Sequence, residues 1–135
     1  MKYLGIDYGT KRIGVAVSDD TGSLAFPLAT VVSDRDALSR VCTLAKENRV
    51  EAIILGESKN FKNEPNPVME DIEQFKKDIE GLSGLPVTYE SEFMTSAQAL
   101  RHPQGKQGEG ESKDLDASAA AIILQSYLDR RGNRE

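Results

Sequence analysis

Along the chain the spacing of hydrophobic positions switches repeatedly between a period near two and one near three and a half, and each switch marks an element. Residues 2–8, KYLGIDY, carry apolar side chains on both alternating sets, which suits a strand buried on both faces. The polar GTKR turns the chain, and residues 12–18, RIGVAVS, form a second strand paired back on the first. After DDTG, residues 24–32, LAFPLATVV, read as a third strand, which Pro27 assigns to a sheet edge because proline donates no ladder hydrogen bond. The period then lengthens. Over residues 34–48, Leu38, Val41, Cys42 and Ala45 recur at i, i+3, i+4 and i+7, an amphipathic helix that Ser33 or Asp34 can cap. Residues 51–55, EAIIL, are a short buried strand ending at Gly56, and residues 57–66 are a polar loop. From Pro67, the positions of Val68, Ile72, Phe75 and Ile79 mark a second helix, which Gly81 and Gly84 stop. Residues 85–91, LPVTYES, are a fifth strand. TSAQ at 95–98 has capping-box spacing and opens a short third helix. Residues 103–114 are polar with three glycines, and a last helix follows from Leu115 to Arg130, with Leu115, Ala119, Ile122, Ile123 and Tyr127 for its buried face.

The order is βββαβαβαα: three antiparallel strands, then strand–helix alternation. This predicts an α/β fold, a five-stranded mixed sheet with helices packed on it, as one domain over residues 1–135. The order is similar to that of the ribonuclease H-like fold. It also raises a question of charge. Asp7 interrupts the first strand among Leu4, Ile6, Ile13, Val15 and Val17, and a carboxylate buried there is costly unless something holds it.

Composition narrows the class. With 39% hydrophobic and 29% charged residues the chain folds as a globular protein. No apolar run reaches the roughly 18–20 residues of a membrane span, and the N-terminus lacks the order of a secretory signal, so no membrane partner and a cytoplasmic location are expected. The single cysteine, Cys42, forms no internal disulfide and falls on the apolar helix face, as core packing. A net charge of −5 and a pI near 5.0 speak against a basic nucleic-acid binder. That objection weakens if some of the acids serve a cation.

Three carboxylates fit such a role. Asp7 lies on the first strand, Glu92 directly follows the fifth, and Asp116 falls in the first turn of the last helix; Glu90 and Asp114 compete with the latter two, Asp114 as helix N-cap. If the first strand is central and the last helix crosses it, the three converge. Gathered carboxylates repel one another unless a cation joins them. Hard oxygen donors without sulfur or imidazole favour Mg²⁺ or Mn²⁺. Two such ions about 3.5–4 Å apart serve phosphodiester hydrolysis. Lys11, Arg12, Lys59 and Lys113 are candidate phosphate contacts, with Lys62 on the same loop as Lys59. Arg101, Lys106 and the lone His102 read as ordinary surface. The loops at 57–66 and 103–113 are expected to border the site.

The opening LGIDYGTKRIGVAVSD and the C-terminal KDLDASAAAIILQSYLD resemble the two terminal motifs of the YqgF/RuvX family, and the likeness spans nearly the whole chain. The resemblance implies a metal-dependent nuclease of the ribonuclease H-like fold. That family is proposed to process the 5′ end of pre-16S ribosomal RNA, and is also named as Holliday junction resolvases for its similarity to RuvC. By position, the resemblance puts Asp7, Glu92 and Asp116 in the acidic active site and implies pre-rRNA, or branched DNA, as partner. A junction resolvase would act as a homodimer; an RNA processor could act as a monomer. The sequence departs from the family where Ser91 and Phe93 flank Glu92 in place of Asp and Arg, and where Ser58 replaces a proline. Two other readings compete. One is a phosphate-binding turn of the sugar-kinase and actin-like ATPases, which need a second such domain. The other is an RNA-binding ribosome-assembly module with weak catalysis.

Overall fold

The computed structural model describes residues 1–9, 11–57, 67–91 and 112–133. In chain order these form β1 (Tyr3–Asp7), β2 (Arg12–Ser18), β3 (Ala25–Val32), α1 (Ala37–Glu47), β4 (Ala52–Glu57), α2 (Pro67–Ser83), β5 (Val87–Ser91) and α3 (Ser112–Asn133). The strands make one mixed sheet in the order β3-β2-β1-β4-β5. β1 pairs antiparallel with β2 and parallel with β4; β2–β3 is antiparallel and β4–β5 parallel. β1 is therefore central, and all five of its residues are buried, as its unbroken apolar pattern requires.

Alternation along the strands sorts side chains onto two different cores. On one face Leu4, Ile6, Ile13, Val15, Ile53, Leu55 and Val87 meet Val41 and Ala45 of α1 and Ile72, Phe75 and Ile79 of α2. Cys42 packs against this core, and burial pushes its thiol pKa up. On the other face Tyr3, Ala16, Ala52 and Ile54 meet Ala120, Leu124 and Leu128 of α3. This second core is built from small residues. A Cβ on Gly5 would sit 2.7 Å from Leu124 Cβ and 3.2 Å from the Ala120 carbonyl oxygen, so the absent side chain lets α3 lie close against β1.

Most boundaries shift by a few residues from the sequence reading, and three of the helix boundaries bear on the argument. α1 starts at Ala37 after Asp36, which makes no side-chain cap; the Asp34 carboxylate instead accepts from the Asp36 backbone N–H at 2.9 Å and from Arg40 at 3.1 Å. α2 continues through Gly81 to Ser83, whose hydroxyl donates to the Ile79 carbonyl. α3 begins at Ser112, so Asp114 is inside the helix and not its N-cap, and Asp116 belongs to the second turn rather than the first. Pro27 does mark an edge. β3 pairs only with β2 among the described strands, and a register shift between Val15 and Ala16 leaves Leu28 without an opposite residue. The short helix expected near residue 95 and the loops at 58–66 and 103–111 lie outside the described residues. Among the described residues no helix is long and apolar enough to cross a membrane.

Candidate active site

The site is built where the C-terminal end of β1 meets the N-terminal part of α3. Asp7 is the last residue of β1 and only 3% exposed. Its neighbours Ile6 and Tyr8 turn to the α1–α2 face, where the Tyr8 ring packs on Phe75 at 5.3 Å between centroids. Strand alternation therefore turns Asp7 to the α3 face. The antiparallel ladder sets it opposite Gly14 of β2. A Cβ on Gly14 would lie 1.9 Å from the Asp116 carbonyl oxygen, so the helix backbone rests on this glycine. Opposed Cα atoms in such a ladder are about 4.5–5.5 Å apart. The Asp116 backbone thus lies across one glycine from Asp7; the sequence reading asked for three acids to converge, and the third, Glu92, lies outside the described residues.

The electrostatics at Asp116 are specific. Arg12, two residues before Gly14 on β2, donates Nε–H to Asp116 Oδ2 at 2.7 Å. The candidate phosphate contact and the candidate metal ligand are therefore paired with one another. The other expected contacts are placed less fully. Lys11 is exposed in the turn between β1 and β2. Lys113 falls in the first turn of α3, three residues before Asp116. Glu92, Lys59 and Lys62 lie outside the described residues.

A fourth acid comes forward instead. The parallel register pairs Ile6 with Leu55 and Gly56 with Glu90, so Asp7, Gly56 and Glu90 stand in one row across β1, β4 and β5. Glu90 is 3% exposed and forms an ion pair with Arg130 near the C-terminal end of α3. Nothing short-range in the sequence joins residues 90 and 130; only the register and the helix path do. Glu90 was read only as a competitor of Glu92, and Gly14 went unread, although a glycine inside a strand is itself a signal of close backbone approach.

Carboxylate oxygens at Asp7 and Asp116 are hard donors, and the only cysteine packs on the opposite face of the sheet. Positive charge is already favoured at Asp116, where a guanidinium sits. The donor set fits a hard divalent cation. Among the described residues no group of three or more His, Cys, Asp or Glu forms a metal cluster, and the third candidate, Glu92, is not one of them.

A "Putative pre-16S rRNA nuclease" of Streptococcus uberis is 36% identical over 96% of this chain and 99% of its own. One of the same name from Nitratidesulfovibrio vulgaris is 39% identical over 95% and 93%. Among solved structures, Thermus thermophilus RuvC superposes with a TM-score of 0.61 at 17% identity, covering 98% of this chain and 97% of that one, a likeness of fold. The family model described as "RuvX: Holliday junction resolvase" matches residues 1–130, and the chain belongs to that family.

Proposed function

We propose that the protein is a divalent-metal-dependent nuclease that hydrolyses phosphodiester bonds, with the 5′ region of pre-16S ribosomal RNA as its substrate in the cytoplasm. The observation that supports this reading is that Asp7 stands opposite Gly14 at one end of the central strand and the backbone of Asp116 rests on that same glycine. Asp7, Asp116 and Glu92 would hold Mg²⁺ or Mn²⁺. Metal held there would supply Lewis acidity to a water nucleophile and charge compensation at the leaving oxygen.

The chain's own residues do the rest. Asp7 is buried on a strand held from both faces, so its carboxylate is fixed before substrate arrives. Asp116 is held by the packing of the α3 backbone on Gly14. Lys11, in the turn directly after Asp7, together with Arg12, Lys59 and Lys113, would meet the phosphates flanking the scissile bond. The names of the curated relatives favour pre-rRNA, and the description of the family model favours four-way DNA junctions as the second reading.

Both substrates belong in one test. Wild type and Asp7→Asn are incubated with a pre-16S fragment and with a four-way junction in Mg²⁺ or Mn²⁺. Wild type should cut the RNA, and Asp7→Asn should lose cleavage by orders of magnitude while its melting temperature in EDTA holds. Cleavage of the junction alone would select the resolvase reading. Wild-type rates from Asp7→Asn at saturating Mn²⁺ would end the metal-nuclease reading in favour of a binding module.

A further inference from the structure

Arg12 has two candidate duties that compete for the placement of one side chain. Its guanidinium is needed at phosphate if it contacts substrate, yet it is bonded to Asp116 Oδ2 at 2.7 Å. The Arg12 side chain is 36% exposed and that of Asp116 20%, so the pair sits at the rim, within reach of solvent and of an incoming ligand. Such pairs are worth little individually and exchange readily. We infer that Arg12 is the resident counter-ion of the metal-free site: it holds Asp116 until a divalent cation takes that carboxylate, and its release then frees it to bind a nucleic-acid phosphate. The inference rests on the reading of Asp116 as a metal ligand.

Three observations support an exchangeable pair over a fixed strut. First, the position of Asp116 does not depend on Arg12, because the helix backbone is already seated on Gly14. Second, Arg12 opens β2, directly after the turn that carries Lys11, so a swing of its long side chain leaves the ladder intact. Third, the pair differs from the one formed by Arg130, whose partner Glu90 is almost wholly buried at 3%, whereas the Asp116 side chain is 20% exposed. A cation at Asp116 replaces one positive charge by another, so the carboxylate stays neutralised throughout. The device orders the two ligands: metal first, phosphate second. Each then favours the other, since removing Arg12 from Asp116 helps both.

The test separates metal from nucleic acid and needs no turnover. Mn²⁺ binding is measured by calorimetry on the full chain for wild type, Arg12→Gln and Asp116→Asn. Binding of a single-stranded RNA oligonucleotide is measured in Ca²⁺ by fluorescence anisotropy. Without its competitor, Arg12→Gln should bind Mn²⁺ about 3- to 5-fold more tightly, the range an exposed pair supports. The same variant should bind RNA more weakly. A structural role would weaken both or neither. Mn²⁺ affinity that is unchanged or weaker in Arg12→Gln, while Asp116→Asn loses it, overturns the counter-ion role and leaves the metal reading standing. Undiminished Mn²⁺ binding by Asp116→Asn overturns both. On wild type alone, the Arg12 Nε–H resonance should be protected from exchange without metal and lose that protection as Mg²⁺ is added; protection that persists at saturation overturns the inference even if no variant folds.

Discussion

At the scale of single residues, the informative side chains are the buried acids, Asp7 and Glu90, both 3% exposed. Glu90 has Arg130 as its counter-charge, reaching in from an exposed position on the last helix. Removing one member of a buried pair leaves the other charge without compensation, and this costs more than removing both. Arg130→Ala is therefore expected to destabilise the fold by about 2 kcal/mol or more, measured by urea denaturation. The double variant Arg130→Ala with Glu90→Gln should recover part of that loss, since the amide no longer brings a charge into the interior. Additive losses in the cycle would show that the two do not interact. Distance along the chain explains why this pair could not be read from sequence. Residues 90 and 130 are forty positions apart, and neither carries a local motif; Glu90 looked like one of two equivalent acids at a strand end.

At the scale of elements, the central question is how a helix comes to lie directly on a strand. Tyr3, Gly5 and Asp7 alternate on one face of β1, with Gly14 and Ala16 opposite them on β2. Where Gly5 and Gly14 stand, the α3 backbone and Leu124 occupy the space that side chains would need. Gly14→Ala would force the Asp116 carbonyl away, an overpacking cost of about 1–3 kcal/mol. It should also lower cleavage, because the displaced residue is part of the site. Gly81→Ala is the matched control. Gly81 lies inside α2 with nothing within 4 Å of an added Cβ. Alanine there should raise the melting temperature slightly, since glycine is the weaker helix former. Equal behaviour of the two variants would refute close packing at Gly14. The periods of hydrophobic spacing were enough to place every described strand and helix, and Pro27 was enough to place the edge. The starts of α1 and α3 were less readable, because Asp34 spends its carboxylate on a turn and α3 extends into a polar stretch that looked like loop. The approach of α3 to the end of β1 needed only the element order. Gly14 carried a signal of close approach, but that the Asp116 backbone is what meets it needed coordinates.

At the scale of the whole molecule, a net charge of −5 must be reconciled with a polyanionic partner. The overall field repels nucleic acid, so attraction has to come from a few cations around the site and from metal bound to its acids. Of the cations proposed there, Lys11 is exposed at the turn after β1 and Arg12 is tied to Asp116. Few phosphate contacts imply few released counterions. For single strands the slope of log K against log salt is about −0.7 per phosphate neutralised, so about four contacts give a slope near −3. A basic RNA-binding protein with eight or more contacts would give about twice that. The expectation is therefore weak salt dependence together with strong dependence on divalent ions. It is checked by titrating a labelled single-stranded RNA in Ca²⁺ between 50 and 200 mM KCl, an interval of about 4-fold in salt. Over that interval affinity should fall by less than about 100-fold, and EDTA should abolish most of the binding. A slope steeper than about −5, or binding that survives EDTA unchanged, would mean that a basic surface remote from Asp7 and Asp116 carries the nucleic acid. The acids would then have to act on a substrate held elsewhere, and the short route from Lys11 and Arg12 to the scissile phosphate would be lost.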